Sequence, residues 1–295
     1  MQKNIIKSHA KCILAGEHAV LRGNPALVFP VLNCGLTLSF AETNLPVTAE
    51  AEAPYSETLL IFFWGILEAA LKQLNKQHND ISGHFFIQNT IPMGAGLGFS
   101  AAFCAAISQW FLSKAWIEAP QLMEFARKLE NGFHGRSSGV DIAGALATQA
   151  IRFDSIQQTR PLHLTWRPGL YLSSSNHISV TAKCIETVDA LWLADPVAAK
   201  MIDKDMHDSV LMAERSLCGD PAQGPALLKA AVNSAQDCFK RWGLITAELA
   251  KHIDALKDAG AVAVKPTGAG EGGYVLSLWD NKPPDNLGFE LMAVL

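Results

Sequence analysis

The sequence predicts a mixed α/β chain built as two domains, and three observations lead there. The chain has 295 residues, enough for two domains of ordinary size. Up to residue 170, short apolar runs of strand character alternate with longer runs at helical spacing. Residues 180–259 then read as consecutive helices with few glycines, so the composition changes near residue 175. The boundary is placed at 160–175, giving domains 1–170 and 171–295.

The elements follow in order. Residues 12–15 and 19–21 read as two short strands joined by the turn Gly16-Glu17-His18, and Arg22-Gly23-Asn24-Pro25 is a second turn. Further strands are expected at 26–29 and 36–40, and the polar, proline-bearing stretch 44–54 reads as a loop. Leu59, Phe62, Phe63, Ile66, Leu67, Ala70 and Leu71 recur at helical spacing and predict a helix over 57–75. A strand at 83–88 leads into a glycine-rich stretch, followed by helices at 100–116 and 120–131. Residues 132–139 break the pattern, and 143–151 and 162–173 read as extended. The later helices are interrupted at Cys218-Gly219-Asp220-Pro221 and Trp242-Gly243. A short strand at 261–264, a second glycine-rich turn at 265–273 and a strand at 274–279 complete the pattern.

Composition narrows the function. Apolar residues make up 49% and charged residues 18%, which requires a sizeable core and excludes global disorder. A net charge of −4 carries no polyanion signature, so nucleic acid is not expected as a partner. No apolar run reaches the length of a membrane span, so no membrane partner is expected. The six cysteines form no CxxC pair and several sit in apolar runs, as expected for reduced thiols in a soluble cytoplasmic protein. The histidines show no ligand spacing, and no zinc site is expected.

The stretch Ile91-Pro92-Met93-Gly94-Ala95-Gly96-Leu97-Gly98-Phe99-Ser100-Ala101-Ala102 organises the rest. Glycines at this density let backbone N–H groups approach an anion, and Ser100-Ala101-Ala102 suits the first turn of a helix whose positive end faces the same anion. The stretch lacks the Lys-Ser/Thr pair of a Walker loop and does not fit the dinucleotide fingerprint. Elsewhere, Lys11 enters a strand, where a lysine is ordinarily solvated, and Glu17-His18 occupies a turn, where an ionisable pair is ordinarily surface decoration. Asp141, at the end of a glycine-rich loop and before an apolar run, is either a helix N-cap or a general base or metal ligand. The second glycine cluster, Lys265-Pro266-Thr267-Gly268-Ala269-Gly270-Glu271-Gly272-Gly273, is either a hairpin loop or another point of close backbone approach.

Taken together these stretches resemble the GHMP kinase superfamily, and within it the mevalonate kinases. Residues 11–20 resemble that family's first motif, 92–102 its phosphate-binding motif, 130–141 its acidic segment and 265–273 its third motif, in the family's order and spacing. The resemblance implies a two-domain GHMP fold, with an N-terminal mixed-sheet domain that binds ATP and a C-terminal ferredoxin-like domain. It implies that Pro92, Gly94, Ala95, Gly96, Leu97, Gly98, Phe99, Ser100, Ala101 and Ala102 hold the ATP phosphates. Ser100 and Glu130 would bind Mg²⁺, Asp141 would take the proton from the substrate hydroxyl, and Lys11 would stabilise developing charge. Glu17 and His18 would line the substrate pocket, with Thr267 and Gly268 shaping its floor. The activity implied is ATP-dependent phosphorylation of the 5-hydroxyl of (R)-mevalonate, a step of isoprenoid biosynthesis. The alternatives are a sibling kinase, such as one acting on phosphomevalonate, and a non-catalytic nucleotide-binding relative. The oligomeric state stays open, a homodimer included.

Three positions depart from the family pattern. Phe99 replaces a first serine, Arg136-Ser137 replaces Asn-Pro, and Glu271 brings a negative charge into a motif otherwise glycine at that point. Arg136 is the local cation that a phosphorylated substrate would need.

Overall fold

The computed structural model describes residues 3–135 and 137–295. In chain order the elements are β1 (Lys3–Ala15), β2 (Ala26–Pro46), β3 (Thr48–Ala51), α1 (Ser56–Gln73), β4 (Ser82–Asn89), α2 (Phe99–Ser113), α3 (Leu122–His134), α4 (Val140–Leu146), β5 (Ile151–Phe153) and β6 (Thr159–Pro161). They continue with β7 (Gly169–Ser174), α5 (Thr181–Ala194), α6 (Pro196–Cys218), α7 (Gly224–Arg241), α8 (Ala247–Asp258), β8 (Ala263–Pro266), β9 (Tyr274–Trp279) and β10 (Met292–Ala293). They sort into two compact units, both discontinuous in sequence. The first holds residues up to 10, Asn33–Ile91 and Gly98–Leu146; the second holds Lys11–Leu32, Pro92–Leu97 and Ala147–Leu295.

In the first unit, β2 pairs antiparallel with β4 from Leu36 opposite Asn89 to Phe40 opposite Phe85, and β3 adds in parallel on the other side of β4. Helix α1 turns Leu59, Phe63, Ile66, Leu67, Ala70 and Leu71 inward, as the spacing predicts. Phe63 meets Phe85 at 4.9 Å, and Phe85 meets Phe40 at 4.5 Å and Trp110 of α2 at 4.9 Å, all in tilted or edge geometries that favour aromatic pairs. Helix α2 is buried on nearly every side, which is why small residues (Ala101, Ala102, Ala105, Ala106) dominate it.

In the second unit, β2 begins with Ala26 opposite Phe153 of β5, and β5 pairs with β6. A separate antiparallel sheet has the order β10-β7-β9-β8. Leu249, Ile253 and Leu256 of α8 close over Val264, Val275 and Trp279 to form the core behind it.

Several local expectations give way to tertiary pairing. Residues 3–15 form one strand, and 19–22 close as a 3-10 turn instead of a second strand. His18 adopts a left-handed φ of 57°, and the Leu21 N–H then bonds back to its carbonyl at 3.1 Å. The expected strands at 26–29 and 36–40 are one continuous β2, because β5 holds one end and β4 the other. The expected loop at 44–54 contains β3, a strand of alternating exposure that its neighbour β4 organises. Residues 143–146, expected to open an extended run over 143–151, instead belong to α4, since the small residues Ala143, Gly144 and Ala145 let this turn pack against α2. A short apolar run cannot reveal that choice by periodicity. Of the extended run expected at 162–173, only Gly169–Ser174 is strand. Among the described residues no helix is long and apolar enough to cross a membrane. All six cysteines are free thiols, with only Cys218 partly exposed.

Candidate functional site

In the second unit the end of β1 meets both glycine-rich turns. The Lys11 N–H donates to the Leu97 carbonyl at 3.0 Å, and its Nζ donates to the Gly96 carbonyl at 3.2 Å. Lys11 is only 1% exposed, which corrects the expectation of a solvated strand lysine. Two residues on, the Thr267 hydroxyl accepts the Ile13 N–H at 2.9 Å and donates to the Ile13 carbonyl at 3.1 Å. The Tyr274 N–H donates to the Ala95 carbonyl at 3.2 Å. A Cβ on Gly268 would stand 3.0 Å from the Gly96 carbonyl oxygen, and one on Gly273 only 2.8 Å from that of Ala95, with φ at +89° and +74°. The second glycine cluster is therefore a packed surface against the first, as close backbone approach demands.

The turn after β1 is equally enclosed. Glu17 is 2% and His18 6% exposed, so this pair is not surface decoration. Burial raises the Glu17 carboxyl above its usual range, opposed by the charge and hydrogen bond of Lys265. Lys265 is itself fully buried, lowered by desolvation and held up by Glu17. Among the described residues the Oε2 atom of Glu17 is enclosed without a hydrogen-bond partner. His18 Nε2 lies 2.8 Å from the Ala269 carbonyl, which can only accept, so Nε2 carries the proton and Nδ1 is left as the acceptor. Burial lowers His18 to about 4, making it neutral at physiological pH. Its ring packs on Trp242 at 5.2 Å and Phe239 at 6.0 Å.

The first unit carries the remaining residues. Gly98 has the left-handed φ of 80°, and α2 starts at Phe99, placing Ser100, Ala101 and Ala102 in its first turn, at the positive end of the helix, with the Ala102 N–H on the Gly98 carbonyl at 2.8 Å. Phe99 is buried and packs edge-on against Phe62 at 5.1 Å and Phe103 at 5.7 Å. This residue in the loop is a core aromatic. Glu130 is buried on α3 and accepts a hydrogen bond from the Ser137 hydroxyl. Ser137 Oγ also accepts the Gly139 N–H at 3.0 Å, and its own N–H reaches Asn131 Oδ1 at 2.8 Å. The serine that departs from the family pattern thus ties the acidic helix to the start of α4. Asp141 is the second residue of α4, half-buried, which replaces the N-cap alternative. Helices α3 and α4 both pack on α2. Arg136 lies outside the described residues.

One unit thus brings together Lys11, Glu17, His18, Ala95, Gly96, Leu97, Thr267 and Gly268, with Pro92 and Gly94 in the same loop; the other holds Gly98 to Ala102, Glu130 and Asp141. Lys265 was missed by sequence reasoning. Its signal was available: a buried Glu17 needs a counter-charge, and Lys265 is a lysine inside the apolar strand run ahead of the second glycine cluster. Oxygen donors suited to a hard cation are present in Ser100 and Glu130.

The family model for the GHMP kinase N-terminal domain matches residues 62–149. The mevalonate kinase of Pyrococcus horikoshii is 25% identical over an alignment covering 91% of this chain and 86% of its own. The crystal structure of L. major mevalonate kinase in complex with R-mevalonate superposes with a TM-score of 0.76 at 22% identity, covering 96% of this chain and 88% of that one. The phosphomevalonate kinase of Streptococcus pneumoniae shares the fold at a TM-score of 0.72 and 15% identity, covering 99% of this chain and 98% of that one.

Proposed function

We propose that this chain, a member of the GHMP kinase superfamily, transfers the γ-phosphoryl group of ATP to the 5-hydroxyl of (R)-mevalonate. The observation that carries the reading is the assembly around β1. Lys11 is hydrogen-bonded directly to the glycine loop, Thr267 directly to Ile13 two residues further along the same strand, and the Glu17-His18 turn is built into the interior.

In this reading the N–H groups of the loop from Pro92 to Ala102 bind the ATP phosphates, and the positive end of α2 adds to their field. Asp141 accepts the proton of the attacking hydroxyl. Lys11, held by the Gly96 carbonyl, supplies positive charge as negative charge spreads over the transferring group. His18 enters as a neutral imidazole, so it orients a substrate hydroxyl through Nδ1 without contributing charge. Thr267 and Gly268 fix the floor. Ser100 and Glu130 would hold Mg²⁺, which neutralises phosphate charge when bound. Phosphoryl transfer asks chiefly for positioning and charge neutralisation, and buried, doubly hydrogen-bonded supports suit that task.

The competing reading is a sibling kinase, favoured by the shared fold with phosphomevalonate kinase. A coupled ADP-release assay with Mg²⁺-ATP and mevalonate, phosphomevalonate, homoserine or galactose separates them. Turnover on mevalonate above the others is expected; turnover only on another alcohol overturns the substrate assignment. Asp141→Asn should lower kcat by roughly 10²–10⁴-fold, the usual worth of a positioned proton acceptor. Unchanged kcat removes Asp141 from the mechanism.

A further inference from the structure

Lys265 near the end of β8 is 0% exposed, and its ammonium has three neighbours of different kinds. It donates to the Ile13 carbonyl at 3.2 Å and to the Glu17 carboxylate, and it lies 5.2 Å above the ring of Phe239. Phe239 in turn packs on His18. We propose that Lys265 is a positioning residue for the substrate wall: anchored on the Ile13 carbonyl, it holds the Glu17 carboxylate in the orientation in which Glu17 meets substrate. This rests on the phosphotransferase reading above, which places Glu17 at the substrate.

The physical case has three parts. Removing two charges from water costs several kcal/mol per ion, and their attraction commonly fails to recover it, so apolar residues of similar volume would serve stability at least as well. The pair is therefore an expensive way to fill this space, and its distinctive product is a fixed carboxylate. Second, the carboxylate is only half used. Glu17 engages Lys265 through Oε1, while Oε2 is enclosed with no hydrogen-bond partner among the described residues. A purely structural buried carboxylate is ordinarily satisfied at both oxygens. Third, the anchor is rigid. The Ile13 carbonyl takes a second hydrogen bond from the Thr267 hydroxyl at 3.1 Å, so the ammonium is referenced to the same strand that carries Lys11. With burial raising the carboxyl and lowering the amine, each group depends on the other to stay ionised.

The test is a double-mutant cycle of Lys265→Met and Glu17→Gln, with kcat, KM for mevalonate and KM for ATP measured separately. Lys265→Met should lower kcat/KM for mevalonate by about 10²-fold, the scale set by misplacing a reacting contact by about 1 Å, and leave the KM for ATP unchanged. Added to Glu17→Gln, it should cost little more, because Lys265 acts through Glu17. Additive losses, or a Lys265→Met enzyme with wild-type parameters, overturn the proposal. If Lys265→Met alone does not fold, the comparison of Glu17→Gln with the double variant, which buries no unpaired charge, decides: equal activity supports the proposal and a further 10²-fold loss overturns it. Wild-type protein with no turnover on mevalonate refutes the substrate assignment alone. A substrate-free arm then judges Lys265: followed by ¹³C NMR, the Glu17 carboxyl should titrate higher in Lys265→Met than in the wild type, and an unmoved titration overturns the proposal.

Discussion

Replacing Gly273 by alanine tests whether the two glycine turns are packed on each other. At φ +74° an alanine pays the left-handed backbone cost, about 1–2 kcal/mol. Its Cβ would also stand 2.8 Å from the Ala95 carbonyl oxygen, closer than such contacts occur, so one turn must move. Overpacking of this kind adds roughly 1–3 kcal/mol. Gly94 is the matched control, with φ +68° and nothing within 4 Å of its built Cβ, so Gly94→Ala bears the backbone cost alone. Thermal melts of the two variants and the wild type, without ligands, read the difference. At about 2–4 °C per kcal/mol for a chain of this order of size, Gly94→Ala should fall by several degrees and Gly273→Ala by roughly twice as much. Ala95 lies in the loop proposed to hold the ATP phosphates, so Gly273→Ala should raise the KM for ATP as well. Equal melting temperatures for the two variants would refute the packing argument.

Two further outcomes follow from single residues. His18 sits at about 4 in the folded chain against an ordinary 6.5, so between those values the unfolded chain binds a proton that the folded chain does not. Stability from this group is thus full above pH 6.5 and lost as pH falls through the window, by about 3 kcal/mol once below it. Denaturant titrations at several pH values should show a shallower acid loss for His18→Gln, and parallel curves would count against a buried neutral imidazole. Phe99→Ser restores the serine found in the family, yet it should destabilise by about 3 kcal/mol or more, since Phe99 is a core residue between Phe62 and Phe103. A loss under about 1 kcal/mol would show that the site collapses without cost.

Local sequence made the glycine turns legible because such turns are short and demand particular residues. Glycines at 94, 96 and 98 all adopt left-handed φ, a need that backbone sterics writes directly into composition. The apolar spacing of residues 59–71 likewise places α1 to within two residues at each end. The same local logic misjudged burial. Lys11, Glu17 and Lys265 look solvated one residue at a time, because a charge is buried only with its partner, and Glu17 and Lys265 are separated by most of the chain. Phe99 likewise read as an unexplained departure until the edge of Phe62, from another helix, gave it a packing role.

By itself, then, the sequence determined most of the alternation of strands and helices and the glycine turns, and it supplied the candidates for proton acceptor, hard-cation donors and phosphate contacts. Those properties depend on covalent structure, side-chain chemistry and contacts a few residues apart. Only the tertiary structure decided that 26–46 is a single strand, that 140–146 is helical, that the second glycine cluster packs against the first, and that Lys265 is the buried partner of Glu17. Each of these is settled by pairing or desolvation between segments distant in the chain, where the cost of an unpaired strand edge or an uncompensated charge outweighs local preference.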